Sequence, residues 1–312
     1  MCPSSSVVPW IVDFLTDRIQ CVRYRGCQSD WTPIKAYVPQ GTNLGPVLFL
    51  ILINDALESS DLPHWKYVDD MTIAESVTRG AVSQVQSTLD DLVEWCELNN
   101  MQLNVKKCHA MRVYFGKTPL PPFEVSLADQ SLDHVDTVQI LGVTVQSDLK
   151  WGKHVDEIVQ KANKRMYMLS ALIPFKLPLC DLVTIYTGFI RPVVEYAVPV
   201  WHPGLTLAQS NQIELVQKRA LRLIMGPSYS SYQDALASTK LTSLETRRIQ
   251  LCHKFARAIT KSTYFSSWFP LKQQYNDTRS CRKNSRYHTV RCRTERYRKS
   301  PIPFLTNLLN SN

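Results

Sequence analysis

The chain has 312 residues, 44% of them hydrophobic, with only 10 Gly and no repeat at a fixed period; this excludes collagen-like, solenoid and low-complexity classes and fits two folded domains or one elaborated one. Its formal charge is +9, yet nine Lys/Arg stand against the single Glu295 between Arg279 and Lys299, a local excess of +8 that leaves about +1 for the rest. The longest clean apolar run, VLFLILI from Val47 to Ile53, is far short of the ~20 residues of a membrane span, and MCPSSSVVPWIVDF lacks the basic start and apolar core of a secretory leader.

The basic segment is the footprint of a surface that meets phosphate backbones or of a nuclear-import patch, and equally of a solvated tail. Nine cysteines scattered from Cys2 to Cys292 show no paired spacing, so free thiols in a reducing compartment are expected. The reading is an intracellular protein, in nucleus or cytoplasm, with no membrane partner. Cys281, His288 and Cys292 are the one cluster of metal-type donors, and they lack a fourth ligand at zinc-like spacing.

Trp10 to Arg18 reads as the end of a helix. After a polar segment, the Pro/Gly-punctuated stretch Pro39 to Pro46 opens a strongly apolar helix. In HWKYVDDMTIAES, apolar runs flank two aspartates, which suggests two strands joined by a tight turn at Asp69 and Asp70. Val85, Leu89, Leu92, Val93 and Cys96 recur at helical spacing, and Asn99 and Asn100 suit that helix's end. Leu103 to Phe115 reads as two strand-like pieces, PLPPF as a linker, and Val138 to Val145 as one more strand. The order is that of an α+β fold.

Beyond Trp151 the character turns helical. Val155, Ile158, Val159, Ala162, Met166 and Leu169 mark an amphipathic helix from His154 to Ile173, and LVTIYTGFI follows it. Thr206 to Gly226 carries a capping box, Thr206 with Gln209, and a Gly226-Pro227 stop. The expected boundaries are 1–150, a helical region at 151–275, and a basic tail at 276–312.

Adjacent aspartates in a turn are often only a turn. They are also the hard oxygen donors that Mg²⁺ or Mn²⁺ prefers, with waters and substrate phosphates as the remaining ligands. Strand neighbours point to opposite faces, so Asp69 and Asp70 cannot both aim at one ion unless the turn twists; one is expected to be primary and the other supporting. Two ions ~3.5 to 4 Å apart, as phosphoryl transfer uses them, carry four positive charges, which two carboxylates on one hairpin neither balance nor surround. Such a site needs a third carboxylate from another strand.

VPQGTNLGPVLFLILIND, YVDD, LNVKKC and ILGVTVQSDLKWGKHV, in that order, resemble the motif series of reverse transcriptases from non-LTR retrotransposons of the LINE or jockey-like kind. IRPVVEYAVPVWHPG, IELVQKRALRLIMG and RCRTERYRKSPIP resemble the helical region that follows the polymerase core in those elements. The likeness runs from about Trp10 to about Pro303. It implies part of a right-handed polymerase palm, made of the PQG helix, the YVDD hairpin and the strands after it, followed by a mainly helical thumb. Implied partners are an RNA template, a DNA primer and deoxynucleotide triphosphates.

By the same resemblance Asp69 and Asp70 are catalytic metal ligands. Gln40, Gly41 and Tyr67 sit by the incoming nucleotide and template, with glycine permitting close backbone approach. Lys107 matches a lysine near the departing pyrophosphate, and Leu141 to Val143 the primer-grip region. Lys218, Arg219 and Arg222 form one basic thumb face; they and Arg291, Arg293, Arg296 and Arg298 of the tail contact nucleic acid, with Tyr287 and Tyr297 interleaved for stacking. Thr42 and Gly45 stand where the family often has serine, and Val68 where it often has alanine. The family's first catalytic aspartate belongs to a motif upstream of the Trp10 helix. Asp13 and Asp17, read as lying within that helix, do not replace it. The expectation is an N-terminally truncated reverse transcriptase, inactive alone, or else a nonenzymatic nucleic-acid-binding relic.

Overall fold

The structure, a computed structural model, describes residues 7–34, 38, 41–78, 80–117, 121, 123–272 and 286–311. Packing divides the chain into two units, residues 1–110 with 120–133, and residues 111–119 with 134–312. The fold is α+β throughout, with small two-stranded sheets and many helices.

In the first unit, helix α1 (Val8–Leu15) starts with Pro9, whose fixed φ suits a first turn. Asp17 lies beyond this helix, at φ +51°, and not inside it. Two short ribbons follow, Ile19–Gln20 with Thr32–Pro33 and Arg23–Tyr24 with Cys27–Gln28. Helix α2 (Leu44–Asn54) begins where the Thr42 hydroxyl accepts the Gly45 N–H at 3.1 Å. Strands β1 (His64–Tyr67) and β2 (Asp70–Ile73) pair antiparallel, with Tyr67 opposite Asp70. Helix α3 (Val85–Leu98) buries Leu89, Leu92 and Cys96, as their spacing requires. Leu89 packs with Val125, Leu127 and Leu132, and Leu92 and Cys96 pack with Leu57. The Asn99 side chain donates to the Trp95 carbonyl at 2.9 Å, and Asn100 takes φ +51°, so the two asparagines end the helix as expected.

Two strand expectations need correction. Between Leu103 and Phe115 the chain forms a 3₁₀ turn, Val105–Lys107, and the two-residue strand His109–Ala110, because Lys107 and Cys108 donate their N–H groups locally, to the Asn104 and Val105 carbonyls. Val138 to Val145 is not one strand but a hairpin, β3 (Thr137–Ile140) and β4 (Val143–Gln146). Leu141 at φ +46° and Gly142 at φ +80° reverse the chain there, with both turn residues at positive φ as a two-residue hairpin prefers.

The β3–β4 hairpin belongs to the second unit, so the division precedes Lys150. The Thr144 N–H donates to Nδ1 of buried His154 at 3.3 Å, the Thr144 hydroxyl bonds the Glu157 carboxylate, and the Tyr196 hydroxyl donates to the Leu141 carbonyl at 2.8 Å. The helices of five residues or more that follow, among the described residues, are α4 (Gly152–Leu172), α5 (Leu179–Ile185), α6 (Arg191–Glu195), α7 (Leu207–Met225), α8 (Tyr232–Thr239), α9 (Leu244–Ile259) and α10 (Pro301–Asn310). A π turn at Tyr186–Ile190 joins α5 to α6.

The predicted stripe of α4 is the buried one: Val155, Ile158, Ala162, Met166 and Leu169 pack in one core with Ile213, Val216, Ala220, Leu221 and Ile224 of α7. Helix α7 shows the capping box read from the sequence. The segment 276–312 is only partly a tail. Leu305 of α10 is buried, and Ile302, Phe304 and Leu308 pack against the same core, because this stretch is apolar after the arginines end.

A polar lattice threads this core. Buried Gln217 accepts from the Tyr186 hydroxyl at 2.8 Å and donates to the Tyr232 hydroxyl and the Thr242 carbonyl, both at 2.9 Å. Tyr232 in turn donates to the Glu214 carboxylate. Glu214 also accepts the Leu244 and Glu245 N–H groups at 2.9 and 3.1 Å, so it satisfies the open amino end of α9 from a neighbouring helix. Arg248, wholly buried, donates to the Ser210 hydroxyl at 2.6 Å and to Nδ1 of His202 at 3.3 Å.

His202 accepts at Nδ1, and burial together with the Arg248 guanidinium pulls its pKa from 6.5 down to about 4. Between those values the unfolded chain takes up a proton that the folded chain refuses, so stability falls as pH drops through that window. Urea unfolding at pH 7 and pH 4.5 is expected to show a loss of roughly 2 to 3 kcal/mol attributable to this group. His202→Gln, which keeps a neutral acceptor, is expected to lose about that much less; an unchanged acid dependence in the variant would refute the assignment.

Candidate active site

The hairpin β1–β2 carries the paired aspartates, and it differs from expectation at its tip. The turn residues are Val68 and Asp69, while Asp70 is the first residue of β2. Strand alternation therefore governs Asp70 and not Asp69. Asp70 shares the face of its cross-strand partner Tyr67 and of Trp65, and Met71 and Ile73 on the other face pack towards α3.

Val68 sits at φ +55°, a conformation a β-branched residue pays for with roughly 1–3 kcal/mol. Asp69 and Asp70 are both exposed, and among the described residues neither carboxylate has an ion-pair or hydrogen-bond partner. The tip thus presents two uncompensated carboxylates to solvent, as the flanking apolar strands suggested.

The hairpin is fixed to α2 by a residue the sequence reading missed. The Lys66 ammonium donates to the Asn54 and Ile53 carbonyls at 2.8 and 3.3 Å, the open carboxyl end of that helix, where a cation opposes the helix dipole. Burial lowers the pKa of Lys66, and Asp55 and Glu58 oppose that shift. The available signal was the alternation in HWKY, which turns Lys66 to the inner face between exposed Trp65 and Tyr67.

Of the other site residues, Gln40 lies outside the described residues. Gly41 is at φ +81°, a conformation that suits glycine, and among the described residues no atom stands within 4 Å of where a Cβ would project. Tyr67 is 62% exposed. Lys107 is exposed on its 3₁₀ turn, and no hydrogen bond or ion pair joins it to either aspartate.

Lys218, Arg219 and Arg222 lie on α7, each with a local partner. Lys218 stands over the Tyr232 ring at 5.2 Å, Arg222 over the Tyr229 ring at 5.4 Å, and Arg219 donates to Asn163 at 2.9 Å. In the C-terminal segment Arg291, Arg293, Arg296 and Arg298 are all exposed. Arg296 stacks on Phe115 at 3.8 Å and Arg298 pairs with Glu295. Tyr287 is packed edge-on against Phe269, and Tyr297 is exposed. Cys281 lies outside the described residues, so its cluster with His288 and Cys292 is not described.

Hard carboxylate oxygens without partners suit a divalent cation. No group of three or more His, Cys, Asp or Glu able to hold a metal occurs among the described residues, so the donor set fits one weakly held ion and not a closed two-ion site. Mn²⁺ titration followed by water-proton relaxation is expected to give a Kd of about 10⁻⁴ to 10⁻³ M or weaker. Asp69→Asn with Asp70→Asn is expected to remove that binding; micromolar affinity, or affinity indifferent to the double change, would contradict this donor count.

Comparison with known proteins bears on the whole arrangement. Residues 1–145 match the family described as "Reverse transcriptase (RNA-dependent DNA polymerase)". The chain is 29% identical over 260 residues to the RNA-directed DNA polymerase from mobile element jockey of Drosophila melanogaster, an alignment covering 78% of the chain and 28% of that protein. It is 26% identical over 232 residues to the probable RNA-directed DNA polymerase from transposon BS of the same fly, covering 69% of the chain and 25% of that protein. A third relative, the probable RNA-directed DNA polymerase from transposon X-element, is 26% identical over 225 residues, 68% of the chain and 24% of its own length. The chain therefore spans about a quarter of the length of the curated relatives it matches.

Proposed function

We infer the function from kinship: the chain is a relative of the reverse transcriptases of non-LTR retrotransposons. It is the part of an RNA-directed DNA polymerase that carries the second catalytic hairpin and the helical region behind it. The reaction is nucleotidyl transfer: a primer 3′ hydroxyl attacks the α-phosphorus of a deoxynucleotide triphosphate and releases its proton to solvent, a new P–O bond forms, the α–β phosphoanhydride bond breaks, and pyrophosphate leaves. The first unit acts as palm, the helical second unit as a thumb-like region, and the arginine-rich stretch near its end as a basic extension. The setting is intracellular, nucleus or cytoplasm, wherever the element's RNA meets its DNA target.

The observation that carries this reading is the pair of exposed, unpartnered carboxylates at the hairpin tip, tied through Lys66 to the carboxyl end of the helix that follows the PQG loop. A divalent ion, when bound, supplies charge neutralisation at the transferring phosphoryl group. Asp69 and Asp70 would hold it. The backbone at Gly41 and the exposed ring of Tyr67 bound the space for template and nucleotide, and Lys107 meets the departing phosphates. Lys218, Arg219 and Arg222, with Arg291, Arg293, Arg296 and Arg298, meet phosphate backbones.

The donor count favours a second reading for the isolated chain, that of a nonenzymatic nucleic-acid-binding protein. In the proposed enzyme a third carboxylate from another segment completes the site. Primer extension on an RNA template with Mg²⁺ or Mn²⁺ separates the two. The 312-residue chain alone is expected to yield no template-dependent product, and the same chain extended by the preceding segment of a related element is expected to yield product that Asp69→Ala reduces at least 10³-fold, the scale of losing a principal electrostatic contact. Synthesis by the short chain, abolished by Asp69→Ala, would show that two carboxylates suffice; no synthesis by the extended chain would leave only the binding role.

A further inference from the structure

A second basic surface lies on α9, apart from the cations singled out in the sequence. Gln250, His253, Lys254 and Arg257 recur at spacings of three and four residues, so they share one face of α9, and Lys261, two residues past the helix end, lines the same concavity. That face is one wall of a groove of about 660 Å³ floored by Ile249 and Leu308, the latter from α10. The groove continues along the same face to Arg286 and Tyr287.

The far wall is built and not incidental. The Tyr287 N–H donates to Asn310 at 2.9 Å and Asn310 donates back to the Tyr287 carbonyl at 3.0 Å, while the Lys272 N–H donates to the Arg286 carbonyl at 3.0 Å and the His288 N–H to the Pro270 carbonyl at 2.8 Å. These bonds hold Arg286 at the groove's end. Charge is of one sign: no Asp or Glu occurs from Thr246 to Thr263 or from Ser300 to Asn312, the stretches that supply both helical walls.

The groove cations also differ from those of α7 in what they touch. The side chains of Lys254, Arg257 and Lys261 are exposed and form no hydrogen bond, ion pair or ring contact among the described residues, whereas Lys218, Arg219 and Arg222 are each engaged. A row of like charges left uncompensated around a concavity raises the local concentration of a polyanion. Residues one helical turn apart, ~5.4 Å, match a ligand with repeated charges along its length better than a single anion.

We infer that this α9–α10 groove binds a single strand of RNA through its phosphates, with the apolar floor facing sugars and bases. The choice of RNA rests on the polymerase reading above, in which RNA is the template; the groove itself rests on geometry and charge.

The test is fluorescence anisotropy with the full 312-residue chain and a labelled unstructured 20-nucleotide RNA, the DNA of the same sequence, the RNA duplex, and polyglutamate of equal charge. Lys254→Gln, Arg257→Gln and Lys261→Gln together are expected to weaken RNA binding at least tenfold at 0.1 M salt and to flatten the dependence of log K on log salt by about 2, three phosphate contacts at ~0.7 each. Lys254→Arg with Lys261→Arg is expected to keep both, and a thermal melt of the triple variant is expected to match the parent because the three sites are exposed. Unchanged affinity and slope in the triple variant would overturn the proposal, as would duplex or polyglutamate binding as tightly as the RNA. DNA bound tenfold tighter than RNA would overturn the assignment to RNA. Asp69→Ala with Asp70→Ala is expected to leave RNA binding intact, so a failed groove and a failed catalytic site give different results.

Discussion

The ammonium of Lys66 is the contact on which the candidate site depends. A helix ends with carbonyl groups that nothing within it can satisfy, and α2 ends against a strand whose inward residue is a lysine. One side chain therefore does two things: it neutralises the negative end of α2 and fixes the aspartate hairpin to it. Without that tie the hairpin is a two-stranded ribbon of four residues a side, too little to hold a carboxylate in place by itself. The strained φ at Val68 is tolerable for the same reason, since the tie and the packing of Met71 and Ile73 over-determine the turn.

The second unit is organised on a different principle. Its core is apolar at the α4–α7 seam, but the placement of α9 comes from Glu214, a carboxylate on α7 that caps a helix distant in sequence, and from the fully buried Gln217 and Arg248. Polar groups this deep cost heavily when unpaired, so they admit few alternative packings. Among the described residues Arg248 has no carboxylate within bonding distance; it relies on Ser210 and a neutral His202, which is why a proton on His202 is unwelcome.

Much of this was legible in the sequence, unevenly. The helices with strong periodicity, α3, α4 and α7, stand where apolar spacing put them, and the capping box at Thr206 formed as written. The aspartate hairpin was legible because apolar strands bracket a polar turn. Where local bonding competed with strand pairing the reading failed: Val105–Lys107 closes on its own carbonyls, and Leu141 and Gly142 fold one predicted strand into two. The docking of α10 was hidden by its position after an arginine-rich run, and the cations of α9 were hidden because a charged helical face looks the same in a sequence whether it meets open water or lines a groove. The alternation in HWKY marked Lys66 as inward, but its partner could not be read, since that partner is backbone and carries no residue identity.

The apolar surface of the first unit carries a consequence for the cell. Helix α2 buries only Gly45, leaving Val47, Leu50 and Ile51 about half exposed or more, and Trp10 and Trp65 are more than half exposed as well. Chaperones and proteases recognise such surface, and a protein's abundance depends on how long it stays uncovered. A cell that makes this chain alone is therefore expected to hold little of it at steady state, because exposed apolar surface shortens the life of a protein before it finds anything to cover it.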